Sequence, residues 1–244
     1  MRVPRIYCPV PLSIGSQVDL PPPALNHVVK VLRLKPGAAL TLFNGAAGEF
    51  QGVLTAVTRS TATVSLHAYT PRETESPLPV LLVQGISRGE RMDYTLQKAV
   101  ELGVSTLLPV LTERSVVKLE QERRRHRIQH WQGVIASACE QCGRNRLPLL
   151  LEPVSLAEGL RSTALQGLKL VLDPLAKPTL STINPPPAAV SLLVGPEGGL
   201  SPAEIVMAEA AGFTAVRLGP RVLRTETAGL AALTAVQLLW GDLG

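Results

Sequence analysis

The stretch "LLVGPEGGLSPAEI" (Leu192–Ile205) sets a glycine-rich turn between an apolar run and a helix start. Ser201 supplies an N-cap hydroxyl, Pro202 the first helical position and Glu204 the third, which together make a capping box. The unit therefore reads as strand, tight turn, helix N-terminus, and open α/β sheets bind ligands at the carboxyl ends of their strands. Phosphate is the usual guest of such a turn, but two features oppose it. The run is neither G-x-G-x-x-G nor a loop ending in Gly-Lys-Ser/Thr. Glu197 and Glu204 also bring carboxylates that would repel a polyphosphate. Bare backbone beside one carboxylate suits a ligand with polar edges and little negative charge; a plain glycine turn is the alternative.

A second stretch, "LGPRVLRTETAGLAAL" (Leu218–Leu233), also follows an apolar run, also begins Gly-Pro and also leads into a helix. Turns of this kind on adjacent parallel strands would face each other across one pocket. A further turn, "LDPLAKP", ends the preceding apolar run beside them.

Further out, the chain changes rhythm once. The segment "PRETESPLP" (Pro71–Pro79) is polar, proline-rich and aperiodic, and reads as a linker between domains at 1–71 and 78–244. Before it, "AALTLFNG" and "GEFQGVLTAVTRSTATVSLHAY" alternate as strands of a small β-barrel with "NGAAG" as a turn, and "PALNHVVKVLRL" reads as a short helix or turn. After it, apolar runs such as "VLLVQGI", "VSTLLPVL" and "LKLVLDP" alternate with helical segments. A long helix is expected from Leu119 to about Cys142, with Ile128, Trp131, Ile135 and Ala138 on one face. This alternation predicts an α/β domain with a mostly parallel sheet.

Composition sets the outer bounds. The 244 residues are 45% hydrophobic and 3% aromatic, so aliphatic side chains must fill the cores. A net charge of +5 fits a polyanionic partner without demanding one. No apolar run reaches membrane-spanning length and the start lacks a signal peptide's apolar segment, which points to a cytoplasmic protein. Three cysteines make no disulfide framework.

"LLVGPEGGLSPAE" followed by "LGPRVLRTETA" closely resembles the RsmE family of ribosomal RNA methyltransferases, in the SPOUT superfamily. "HVVKVLR", "LFNGAAGEF", "QKAVELGV", "PVLTERS" and "EQCGRNRLP" resemble its other signatures in the same order, so the likeness spans nearly the whole chain. It departs at Leu200, Val222 and Val100, where no polar group is lost. The resemblance implies a SPOUT trefoil-knot methyltransferase domain of α/β class behind an N-terminal PUA-like β-barrel that binds RNA. It implies S-adenosylmethionine (SAM) as methyl donor, held by Leu172, Gly195, Pro196, Glu197, Leu218, Gly219, Val222, Leu223 and Thr225. SAM has no phosphate, which answers the objection to the first loop. It also implies methylation at N3 of a uridine in 16S ribosomal RNA within a small subunit, by a homodimer formed partly through the apolar C-terminal helix.

Methyl transfer to N3 is a direct displacement needing no metal. The neutral uracil carries a proton at N3, so a positioned cation that stabilises the anion would help. Arg224, beside the second loop, is the expected catalytic group, with Arg144 and Arg114 as substrate clamps. Arg5, His27, Lys30, Arg33 and Asn44 are the expected RNA contacts of the first domain, and "ERRRHR" (Glu122–Arg127) a secondary one. Methylation of a ribose 2′-hydroxyl and a non-catalytic RNA-binding role are the rival readings. His126, His130, Cys139 and Cys142 have zinc-like spacing. On one continuous helix, however, His130 and Cys139 would stand about 13 Å apart along the axis, too far to share a metal.

Overall fold

The computed structural model describes residues 3–115, 121–180, 183 and 187–244. The chain forms two units, Met1–Glu75 with Ala136–Leu147, and Ser76–Ile135 with Pro148–Gly244. A cut at the linker alone thus misplaces one segment. Ala136–Leu147 joins the first unit because its polar groups bond there: Glu140 accepts the Tyr7 N–H at 2.9 Å, and Asn145 donates to the Arg72 carbonyl at 2.6 Å.

The first unit runs β1 (Arg5–Tyr7), β2 (Gln17–Asp19), α1 (Pro22–Asn26), a π-helical turn (His27–Val31), β3 (Ala39–Phe43), β4 (Glu49–Val57) and β5 (Ala62–Thr70). Alternation along β3 to β5 turns Leu40, Leu42, Leu54, Val64 and Leu66 into a core with Ile6 and Val28. The "NGAAG" turn joins β3 to β4; Asn44 accepts the Ala46 N–H at 3.1 Å, and Gly45 and Gly48 take positive φ. The sheet order is β1-β3-β4-β5-β2. Among the described residues the pairing of the expected β-barrel is an open path from β1 to β2. Its end strands have 3 residues each, few backbone groups for a closing ladder.

The second unit begins with β6 (Val80–Gly85), α2 (Glu90–Glu101), β7 (Thr106–Leu111) and α3 (Gln121–Cys142), whose last residues belong to the first unit. The expected start of α3 at Leu119 lies outside the described residues. Next come β8 (Leu149–Leu150), β9 (Val154–Ser155) and α4 (Leu156–Gly159), too short for periodicity to reveal. The chain continues with β10 (Leu168–Leu172), β11 (Val190–Val194), α5 (Pro202–Ala210), β12 (Thr214–Val216) and α6 (Thr225–Trp240).

All strand pairs of this sheet are parallel, in the order β12-β10-β11-β6-β7-β8 with β9 also on β7. Every residue of β11 is buried, as its continuous apolar sequence requires of a strand covered on both faces. Leu81, Val83, Leu108, Val171, Leu193 and Phe213 share one core. Because β10, β11 and β12 run the same way, the loops that leave them emerge along one edge. Among the described residues no helix is long and apolar enough to cross a membrane.

Candidate active site

The loops after β10, β11 and β12 enclose a cavity of about 650 Å³. Leu172 and Asp173 form one wall, Gly195, Pro196, Glu197 and Gly198 a second, and Leu218, Gly219, Val222, Leu223, Arg224 and Thr225 a third. Every position assigned to the cofactor from the sequence lines this one cavity. Its volume falls within the roughly 300–1,000 Å³ usual for small-molecule sites.

The β11 loop is fixed from several sides. Ser201 and Glu204 form the expected capping box, with the Ser201 N–H donating to Glu204 at 2.8 Å. The other Glu204 oxygen accepts the Glu113 N–H at 2.8 Å, so this buried carboxylate is fully occupied. Gly195 is required by the loop itself: a Cβ there would lie 2.9 Å from Gly199 C and Leu200 N. At Gly198 a Cβ would come within 2.9 Å of Arg114 Cβ, and the Arg114 guanidinium donates to the Gly198 carbonyl at 2.9 Å.

Glu197 faces cations and an N–H. Its Oε1 accepts from the Arg88 N–H at 2.9 Å and from Arg91 at 3.2 Å. Burial acts to raise its carboxyl, but the Arg88 and Glu197 N–H groups and Arg91 outweigh it and hold the group below its ordinary value. The loop's acid is therefore neutralised in place.

Gln84, at the end of β6, joins two of the walls. Its Nε2 donates to Thr225 Oγ1 at 3.1 Å, and Thr225 Oγ1 donates to the Gly195 carbonyl at 2.5 Å. Gln84 escaped the sequence reading, although a lone amide inside the apolar run "VLLVQGI" is the signal that could have found it. Arg91, Arg221 and Glu226 also line the cavity and were missed, because loop closure rather than periodicity brings them there.

Arginines dominate the polar lining: Arg91, Arg114, Arg221 and Arg224. Arg91 pairs with Glu197 and Arg114 holds the Gly198 carbonyl, while Arg221 and Arg224 are exposed and make no ion pair among the described residues. Glu226, in the first turn of α6, has a buried Oε2 without a hydrogen-bond partner among the described residues.

The arginines expected to act from elsewhere behave differently. Arg144 is 4% exposed, lies in the first unit and is bound through Nε and Nη2 to Glu75, at 2.5 Å for the closest approach. Its guanidinium is ion-paired with Glu75 within the first unit. Arg5 is 8% exposed, pairs with Glu49, and donates to Asn145 at 2.7 Å and to the Arg144 carbonyl at 3.2 Å. It is a buried tie within the first unit.

Lys30 and Arg33 are exposed in the same unit. His27 stands 3.6 Å from Glu140, and Asn44 is half-buried in its turn. On α3, which is continuous from Gln121 to Cys142, His130 bonds Asp93 at 2.7 Å. Burial pushes the Cys139 thiol up to about 12, the opposite of a reactive thiolate.

Comparisons with known proteins fit this architecture. Residues 74–237 match the family model described as an RNA methyltransferase domain, and residues 20–66 match an RNA methyltransferase PUA domain. The chain is 35% identical to the ribosomal RNA small subunit methyltransferase E of Buchnera aphidicola subsp. Schizaphis graminum, over 99% of this chain and 98% of that one. It is 42% identical, with a TM-score of 0.91 and full coverage of both chains, to the Neisseria gonorrhoeae methyltransferase E solved with S-adenosyl methionine. A Legionella pneumophila protein solved with bound SAM gives 42% identity and a TM-score of 0.96, again over the whole of both chains. The chain belongs to the ribosomal RNA small subunit methyltransferase E family, an RNA methyltransferase domain of α/β architecture joined to an RNA methyltransferase PUA domain.

Proposed function

We propose that this chain transfers the methyl group of SAM to N3 of a uridine in 16S ribosomal RNA, acting as a homodimer on the assembled small subunit. The observation that carries this reading is the single cavity built by the loops after β10, β11 and β12, with Arg221 and Arg224 facing it uncommitted. The residues fit SAM. Leu172, Leu218 and Leu223 offer apolar flanks for an adenine, and Gly195, Gly198 and Gly219 bring bare backbone to the wall. Around Gly219 the space a Cβ would occupy is open, so the turn leaves room beside its backbone.

Bound there, SAM supplies a sulfonium-activated methyl group. The chain's own groups orient and polarise the acceptor. Arg224 stabilises negative charge on the uracil carbonyls as N3 gives up its proton, a contribution that grows where water is excluded. Arg221 and the tethered Arg114 give the rim positive charge for RNA phosphates, which position a substrate without reading its sequence. Lys30 and Arg33 are the first unit's own exposed cations for RNA phosphates. The homodimer reading is supported by Leu238 and Leu239, which are exposed near the end of α6.

The test is incubation with isotopically labelled SAM and small subunits lacking the modification, followed by nucleoside mass spectrometry. Labelled 3-methyluridine is expected. A 2′-O-methylated nucleoside would move the acceptor to the ribose, and absence of transfer with no SAM binding would leave an RNA-binding protein. Sedimentation should give twice the chain mass.

A further inference from the structure

We propose that Glu226 is the group that takes the N3 proton from the substrate uracil. Glu226 lines the cavity one residue from Thr225, which is fixed to the Gly195 carbonyl, and two from Arg224. Its Oε2 is buried and has no hydrogen-bond partner among the described residues. An unsatisfied buried acceptor costs free energy, and such groups in native structures call for a reason. The carboxylates around the site contrast with it. Glu204 is consumed by the capping box and the Glu113 N–H, and Glu197 by the Arg88 N–H and Arg91. Asp173, on the β10 wall, accepts the Leu175 N–H through Oδ1 at 2.9 Å. Glu226 differs from these three in having a buried oxygen with no donor among the described residues.

A uracil joined to ribose through N1 has one ring N–H, at N3. A carboxylate short of a donor is therefore complementary to the atom that must lose its proton. The step balances. The N3–H proton passes to Glu226, the N3 electron pair forms the new N–C bond, and the C–S bond electrons leave with sulfur as a neutral thioether. The proton is then released to water. Arg224 and Glu226 divide the work, one taking the proton and the other stabilising the negative charge it leaves behind.

This inference rests on the proposed function, and its test separates the two. Wild-type protein must first give 3-methyluridine; if it does not, the functional reading fails before Glu226 is questioned. Glu226→Gln should then bind SAM within about twofold of wild type by calorimetry while transferring methyl about 100-fold more slowly, the low end for a lost general base. Its rate should keep rising with pH where the wild-type rate has levelled. RNA carrying 5-fluorouridine at the target, whose N3 proton is more acidic, should recover more of the lost rate in the variant than in the wild type. Glu226→Asp keeps a carboxylate and should retain the pH plateau at an intermediate rate, which covers the case where the glutamine variant folds poorly. Weakened SAM binding in Glu226→Gln would mean that Glu226 accepts from the cofactor. Equal gains with 5-fluorouridine in both proteins would also overturn the proposal.

Discussion

The arginines of the two units have the same side chain and opposite fates. In the first unit Arg5 and Arg144 are buried against Glu49 and Glu75, and each also belongs to a wider network of hydrogen bonds. In the second, Arg224 and Arg221 stand exposed at a cavity with no carboxylate paired to them among the described residues. A buried guanidinium is tolerable only when its charge is met, so it becomes part of the scaffold. An unmet guanidinium beside a cavity keeps its charge available for a ligand. Arginine content alone says nothing about which fate applies.

The sharpest break of that contrast should come from the scaffold side. Arg5→Ala leaves Glu49 buried without its main cation, and removing one partner of a buried pair costs about 3–5 kcal/mol. Calorimetry should show the loss as a lowered unfolding temperature for the transition that involves the first unit. Cavity binding of SAM, measured below that transition, should be nearly unchanged. A stability change under about 1 kcal/mol would put Arg5 among ordinary surface residues, where such small effects are the rule.

Arg224→Ala should do the reverse. Turnover is expected to fall about 100-fold, the lower end for loss of one charge-stabilising group, with SAM affinity and unfolding temperature close to wild type. Single-turnover kinetics with saturating SAM measure this directly. A variant that melts early and turns over normally would erase the distinction between the two arginine classes.

Arg114 lies between these extremes, exposed yet pinned to the Gly198 carbonyl. Gly198→Ala brings a Cβ within 2.9 Å of Arg114 Cβ, a contact that must be relieved by moving the arginine or the loop. Overpacking of this kind costs about 1–3 kcal/mol in a rigid core, and an exposed partner puts the expected loss near the lower bound. Calorimetric SAM affinity should drop severalfold. Normal affinity would show that the loop tolerates displacement and that Arg114 is free to move.

What could be read from the sequence follows the range of the interactions. The cavity walls were legible because they depend on local chemistry: glycine turns, a proline at a helix start, a capping box within four residues. The parallel sheet was legible from apolar runs. The burial and ion pairs of Arg5 and Arg144 were not legible because their partners, Glu49 and Glu75, are 44 and 69 positions away, and no periodicity couples such pairs. The same reason hid the join of Ala136–Leu147 to the first unit and the meeting of Gln84 with Thr225 across 141 positions. Gly195 lines the cavity, but the sequence reading supplied only part of the reason for a glycine there. The sequence suggested close approach to a ligand, whereas the loop's own backbone already excludes a side chain there.

The smallest effect concerns the neutralised acid. Glu197 is held below its ordinary value by the Arg88 and Glu197 N–H groups and Arg91, against a burial effect in the other direction. A depressed carboxyl stabilises the folded loop fully above its unfolded value, near 4.3 for glutamate, and loses that contribution as pH falls through the lower folded value. Wild-type SAM affinity should therefore hold steady from neutral pH down to the ordinary carboxylate range and weaken below it. Glu197→Gln removes the titrating group and leaves Arg91 without its partner, so it should bind somewhat more weakly at neutral pH. It should also lack the acid-side step that distinguishes the wild type. The comparison is between the two profiles, so titration of SAM itself cancels. Parallel profiles for the two proteins would show that the Glu197 contacts to Arg88 and Arg91 do not set the shape of the loop, and that the remaining ties at Gln84, Thr225 and Arg114 suffice to hold it.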